Sequence, residues 1–354
     1  YFAKDSQYFA DYYNRIVEYV NETAAEVAMS GALHKTKSTD NSRLIMALAA
    51  IGKDATSVGN WNLVEAYSAN GINWIRKQGM NGTIWTLIAL DTGDYETSDT
   101  TIRQQCVDNL LAAQHDDGGW SLVKALAKPS NVDITGMALT ALYPYRDQAA
   151  VAAACETAIT WMSESQLDNG GFPYGKGETS ESCVWAIVAA TTWGINPDTD
   201  PRFIKNGNSA IDNLLTYYLE DEAKFEHGRG AGANAMATDQ SCYALVAYDR
   251  FINGKTALFD YSDVTFDAAP ESDEMTATLG LPAEINPGAA FNGVISINKW
   301  DNEAGYKLID FIMTVPEGLS VTGVTAGERL TGGQVSWNLE AETGKLRVVY
   351  FDAN

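Results

Sequence analysis

The stretch QHDDGGW, Gln114 to Trp120, sets two adjacent aspartates beside paired glycines and a tryptophan. Neighbouring carboxylates can divide the roles of acid and base, because like charges at close range push one pKa above the other. The stretch QLDNGGF, Gln166 to Phe172, keeps the glutamine, the glycines and an aromatic but replaces the second acid with asparagine. What recurs is the frame around the acids, so the pair reads as punctuation in a repeated scaffold. Two more acidic loops, DTGDYETSD from Asp91 and NPDTDPR from Asn196, hold enough carboxylate and carbonyl oxygens for calcium. Neither has EF-hand spacing, and solvated loop acids are the simpler reading of so acidic a chain. The four cysteines, Cys106, Cys155, Cys183 and Cys242, lack C-x-x-C spacing and fall in apolar helical patterns, the setting of buried free thiols. A Cys106 to Cys155 bridge is the alternative. No Walker loop, G-x-S-x-G elbow or H-E-x-x-H run occurs.

The elements that must position these residues follow from one recurring register. It reads DNSRLIMALA from Asp40, NGTIWTLIAL from Asn81, DITGMALTAL from Asp133, ESCVWAIVAA from Glu181 and DQSCYALVAY from Asp239. An acidic residue or asparagine opens each copy and can accept the free N–H groups of a first helical turn, so each is read as an N-cap before a buried helix. Longer amphipathic segments such as TIRQQCVDNLLAAQ lie between the copies. Helices that are apolar all round, alternating with amphipathic ones, imply an inner and an outer ring. The first outer helix is expected at about residues 7 to 30, and about five helical hairpins then close into an α/α toroid over residues 1–260. From residue 261 to 354 the pattern changes to short period-two segments separated by Pro, Gly and Asn, which predicts an all-β sandwich.

Composition narrows the function. The chain has 354 residues, 45% of them hydrophobic, and a formal net charge of −22. That charge repels phosphate backbones and anionic lipid, which argues against nucleic-acid partners. No apolar run of about 18 residues suits a membrane span, so no membrane insertion is expected, and the opening YFAKDSQYFADYY lacks a signal peptide's basic start and apolar core.

QHDDGGW fits Q-x-x-x-G-x-W, and QLDNGGF fits it with Phe172 in place of tryptophan. This resembles the QW repeat of the squalene cyclase and protein prenyltransferase superfamily, whose fold is an α/α toroid. VDITGMALTALYPY is similar to a segment of transcobalamin-type proteins and of exported Gram-positive proteins with toroids of this kind. The resemblance implies three places for chemistry. Cyclases build a strong acid from D-x-D-D, and in NVDIT only Asp133 matches, with Asn131 and Ile134 in place of the other acids. Prenyltransferases hold zinc on an Asp-x-Cys pair and a later histidine; Glu181 and Cys183 take the pair's positions, but Asp239 stands where the histidine belongs. Complement-type members carry a C-G-E-Q thioester run, which is missing here.

The C-terminal segment is similar to part of a cohesin sandwich, through a PG turn, the NEAGYKLIDFIMTVPEGLSV hairpin and the closing GKLRVVYFD. That likeness implies a protein partner such as a dockerin. With every catalytic set incomplete, the expected function is non-catalytic binding or adhesion, outside the cell or at the surface of a bacterium. The expected ligand site is a toroid mouth ringed by Asp40, Asn81, Asp133, Glu181 and Asp239 and lined by Trp85, Trp120, Tyr143, Tyr145, Phe172, Tyr174 and Trp185. The ligand would be a small molecule or glycan. A carrier for cobalamin and a glycan-binding or glycan-degrading protein are the alternatives.

Overall fold

The computed structural model describes residues 7–123, 129–262, 276–280, 288–298, 308–315, 318–325, 334–340 and 344–351. The chain divides into two compact units, Tyr1–Asp267 and Ala268–Asn354. Among the described residues the first holds ten α-helices: α1 (Gln7–Val27), α2 (Ser38–Ala50), α3 (Glu65–Ile75), α4 (Met80–Thr92), α5 (Ile102–Ala113), α6 (Val132–Leu142), α7 (Ala149–Ser165), α8 (Ser180–Thr192), α9 (Ala210–Leu215) and α10 (Ala235–Ile252). None of the described helices is long and apolar enough to cross a membrane.

The helices sort into two layers by burial. Every residue of α8 is buried, and so is nearly all of α4 and α6. The intervening helices bury one stripe each, Ile16, Val20 and Ala24 on α1 and Val151, Cys155, Ala158 and Met162 on α7. A three-to-four-residue spacing of this kind presents a single face to a neighbour. In the inner layer α2 packs on α4, α4 on α6, α6 on α8 and α8 on α10, while α3, α5 and α7 follow one another outside. Gly136 lets α6 lie against α8, since a Cβ there would stand 2.4 Å from the Trp185 carbonyl oxygen. The inner series runs from α2 to α10, and the chain after α10 returns toward its start: Arg43 of α2 lies near Tyr243 of α10 and Phe259 packs on Trp85 of α4, while Met236, Cys242 and Val246 of α10 stay exposed.

The QW stretches are joints at the C-terminal ends of the outer helices α5 and α7. Gln114 Nε2 donates to the Gly118 carbonyl at 2.7 Å and to Ala154 of α7 at 2.8 Å. Gln166 Nε2 repeats this with Gly170 and Phe203, both at 2.9 Å. Trp120 is fully buried and donates from Nε1 to Leu110 of α5. Of the acid pair, Asp117 accepts from Gly119 N and Ser130 Oγ, and Asp116 is exposed.

A second joint sets the register of the inner helices. The fourth residue of α6, Thr135, accepts from Trp120 N at 2.9 Å. Thr238 of α10 accepts likewise from Phe225 N, and Asn41 of α2 from Leu33 N, each at 2.9 Å. Cys183 takes the same position on α8, where its thiol donates to Asn213 Oδ1 at 3.2 Å. Four residues before three of these ties stand the actual N-caps: Asn131, Thr179 and Asn234, bonded to Ile134 N, Ser182 N and Ala237 N. The repeated acids are therefore not caps. Asn81, Asp133 and Glu181 are the second residues of α4, α6 and α8, inside the first turn. The equivalent residue is Thr39, not Asp40, on α2 and Met236, not Asp239, on α10.

No Cys106 to Cys155 bridge forms; all four cysteines are free. In the second unit the strands are β1 (Thr276–Gly280), β2 (Val294–Asn298), β3 (Leu308–Thr314), β4 (Gln334–Glu340) and β5 (Lys345–Phe351). They form two antiparallel sheets, β1–β2 and β4–β5–β3. On the central strand β5 the buried Leu346, Val348 and Tyr350 alternate with exposed Lys345 and Arg347, the period-two pattern of a half-buried sheet. Of the cohesin-like features, Pro287, residues 302–307 and 316–317, and Asp352 lie outside the described residues, as does the 263–275 stretch at the change of pattern.

Candidate ligand site at the helix rim

A helix returns to the same face after four residues. The sixth residues of α4 and α8, Trp85 and Trp185, lie one turn below Asn81 and Glu181. Their rings meet edge to face at 5.6 Å and 79°, although α6 separates the two helices in the packing order. Trp185 Nε1 donates to Gln240 Oε1, the sixth residue of α10, at 3.0 Å. Phe259, in the segment after α10, packs on Trp85 at 5.9 Å, and its carbonyl accepts from Thr92 Oγ1 at the far end of α4. The space between the inner helices is thus occupied by aromatic rings. The second-turn tryptophans form a floor, and the first-turn residues stand above it as a rim.

At the rim Glu181 is 4% exposed. Its Oε2 accepts from Ser180 Oγ at 3.2 Å and lies 2.8 Å from His227 Nδ1, which donates when that nitrogen carries the proton. Its Oε1 is buried with no hydrogen-bond partner, and so is Asn81 Oδ1 at the equivalent position of α4. Asp133, between them on α6, accepts from Ser182 Oγ at 2.7 Å. Burial holds the Asp133 carboxyl above its usual range; the Ser182 hydroxyl opposes this, the Glu181 charge adds to it and His227 opposes it. The helix N-terminus also favours the ionised form, by about 0.3–1 kcal/mol, and loss of hydration outweighs that contribution.

The loop ahead of α10 brings His227 over this rim, where its carbonyl accepts from Ser180 N at 3.1 Å. The imidazole stays half-exposed beside the exposed Tyr174, ring centres 6.5 Å apart. Arg229 of the same loop is committed elsewhere, to Glu178, Asn213 and Thr216.

Tyr174, Asp133, Glu181 and Asn81 therefore stand at this rim, and Trp85 and the fully buried Trp185 pack beneath it. The other expected aromatics do not line it. Trp120 and Phe172 are fully buried between the layers, held there by the QW joints. Tyr143 follows the C-terminal end of α6, packed on Trp193 and under Arg146, and Tyr145 bonds Asp91. The zinc set of Glu181, Cys183 and Asp239 is not assembled. Cys183 lies two residues round the helix from Glu181 and donates to Asn213 Oδ1 of α9, while Asp239 accepts from Tyr243 OH on the solvent side of α10. Among the described residues no group of three or more His, Cys, Asp or Glu side chains is arranged to hold a metal ion.

In the acidic loops weighed for calcium, several carboxylates are engaged within the fold. Asp91 is paired with Arg103 at 2.8 Å, Asp99 caps the turn at Thr101, Asp198 accepts from Ser209 and Tyr248, and Asp200 holds Arg202. Sequence reasoning brought neither Ser182 nor His227 to the rim. The signal for His227 was the glycine-rich HGRGAG opening just before a helix, a segment able to fold back over the rim.

No family model matches the chain, and no curated protein matches it. Among solved structures it is similar to Candida albicans protein geranylgeranyltransferase-I complexed with GGPP, at 11% sequence identity and a TM-score of 0.47, over 71% of this chain and 79% of that chain. The helical repeat stands on the packing and joints described above.

Proposed function

We propose that this protein is a non-catalytic binding protein, acting outside the cell or at a bacterial cell surface, which captures a small ligand rich in hydrogen-bond donors at the rim formed by Asn81, Asp133 and Glu181. The observation that carries this reading is Glu181 Oε1, a buried oxygen without a partner. An unsatisfied buried acceptor costs about 1–3 kcal/mol, and more when charged. A ligand that supplies the missing donor recovers that free energy on binding. Tyr174 and His227 supply the outer contacts, an aromatic face and an imidazole edge. The sequence likeness to exported Gram-positive proteins supports the location, and the cohesin-like segment is proposed as a sandwich that engages a protein partner.

A thermal-shift screen tests the reading. Any compound that binds the native state raises its melting temperature by mass action. The panel is oligosaccharides, isoprenoid alcohols, cobalamin, calcium and zinc salts, and aliphatic amines. The expected result is a shift with a donor-rich compound that disappears in Glu181→Gln; a flat response across the panel contradicts a small-molecule site.

A further inference from the structure

The chemistry of the rim selects among donor-rich ligands. The two buried rim atoms left without a partner, Asn81 Oδ1 and Glu181 Oε1, are both acceptors. The local donors are already spent: Ser180 Oγ and His227 Nδ1 on Glu181, Ser182 Oγ on Asp133. A polyol hydroxyl donates and accepts, so it would bring an oxygen of its own into a place that offers acceptors. An ammonium group has three donors and no acceptor. Charge points the same way, because the Glu181 carboxylate lies close enough to disfavour ionisation of Asp133, and the nearby guanidinium of Arg229 is held by Glu178. The exposed Tyr174, beside His227, adds an aromatic ring that attracts a cation and an alkyl chain alike. At a distance, a net charge of −22 draws cations toward the molecule.

Resting on the rim reading above, we infer that the ligand is an organic cation, a primary ammonium on an alkyl chain, seated between Asp133 and Glu181 with Asn81 Oδ1 as a further acceptor.

Titration calorimetry with 1,4-diaminobutane, butylamine and the neutral isostere 1,4-butanediol tests this. The diamine is expected to bind at least tenfold more tightly than the diol, and Glu181→Gln to lose at least tenfold in diamine affinity while melting cooperatively. Asn81→Asp, which adds a carboxylate at the equivalent position of α4, is expected to tighten diamine binding several-fold. Diol or oligosaccharide binding that matches or exceeds amine binding overturns the cation inference and leaves the rim reading standing. Absence of saturable amine binding at millimolar concentration, or unchanged diamine affinity in a folded Asn81→Asp protein, also overturns it. Only a flat response to every class removes the rim reading as well.

Discussion

Asp133 and Glu181 are one turn apart from the same tryptophan floor, yet their burdens differ. Glu181 keeps two donors on one oxygen and none on the other, whereas Asp133 is held largely by a single hydroxyl and by burial. The Asp133 carboxyl has a folded pKa above the unfolded 3.8. The native state therefore binds the extra proton between those two values, and the stability Asp133 contributes at low pH is lost as pH rises through that window. Asp133→Asn keeps an oxygen for Ser182 and removes the charge. It is expected to raise the melting temperature at pH 7 by a few degrees and to lose that advantage below pH 3.8; equal melting curves at both pH values would contradict the assigned burial cost. Asp133 and Glu181 were legible as candidates because their type and register repeat. Their partner His227 was not, because 46 residues separate it from Glu181 and only the folded loop joins them.

At the scale of elements, the joints explain why QHDDGGW recurs with only one of its two acids. Gln114→Ala leaves the Gly118 and Ala154 carbonyls without their donor and is expected to cost about 1–3 kcal/mol in urea unfolding. Asp116→Asn, at an exposed site, is expected to stay within about 0.5 kcal/mol of the parent. Reversal of that order would make the acids, not the frame, the structural element of the loop. Gly136→Ala drives a methyl toward the Trp185 backbone, and an overpacking cost of about 1–3 kcal/mol is expected. Helix positions and the alternation of layers could be read from apolar periodicity. The register of α10 could not, since ATDQSCYAL offers both Thr238 and Ser241 as the repeated hydroxyl. The bond from Phe225 N, a contact across a loop, decides for Thr238. Likewise Trp120 and Trp185 look alike in an apolar helix or loop, and only packing sends one between the layers and the other to the rim's floor.

The whole molecule is a helical repeat unit followed by a small antiparallel β unit, strongly acidic and with its cysteines free. Burial pushes the Cys106, Cys155 and Cys183 thiols up to about 12, while Cys242 is exposed on α10. A thiol reagent such as 5,5′-dithiobis(2-nitrobenzoate) is expected to modify one cysteine of the native protein quickly and the other three only on unfolding; rapid labelling of all four would mean that the inner layer is not packed as described. Aromatic rings pack between the inner helices, and the proposed binding is at the rim above them. A crystal structure of the protein soaked with the compound that gives the largest thermal shift tests this most directly. The account predicts ligand density with a donor within hydrogen-bond distance of Glu181 Oε1, above the paired tryptophans; density below Trp85 and Trp185, with the two rings forced apart, would contradict it.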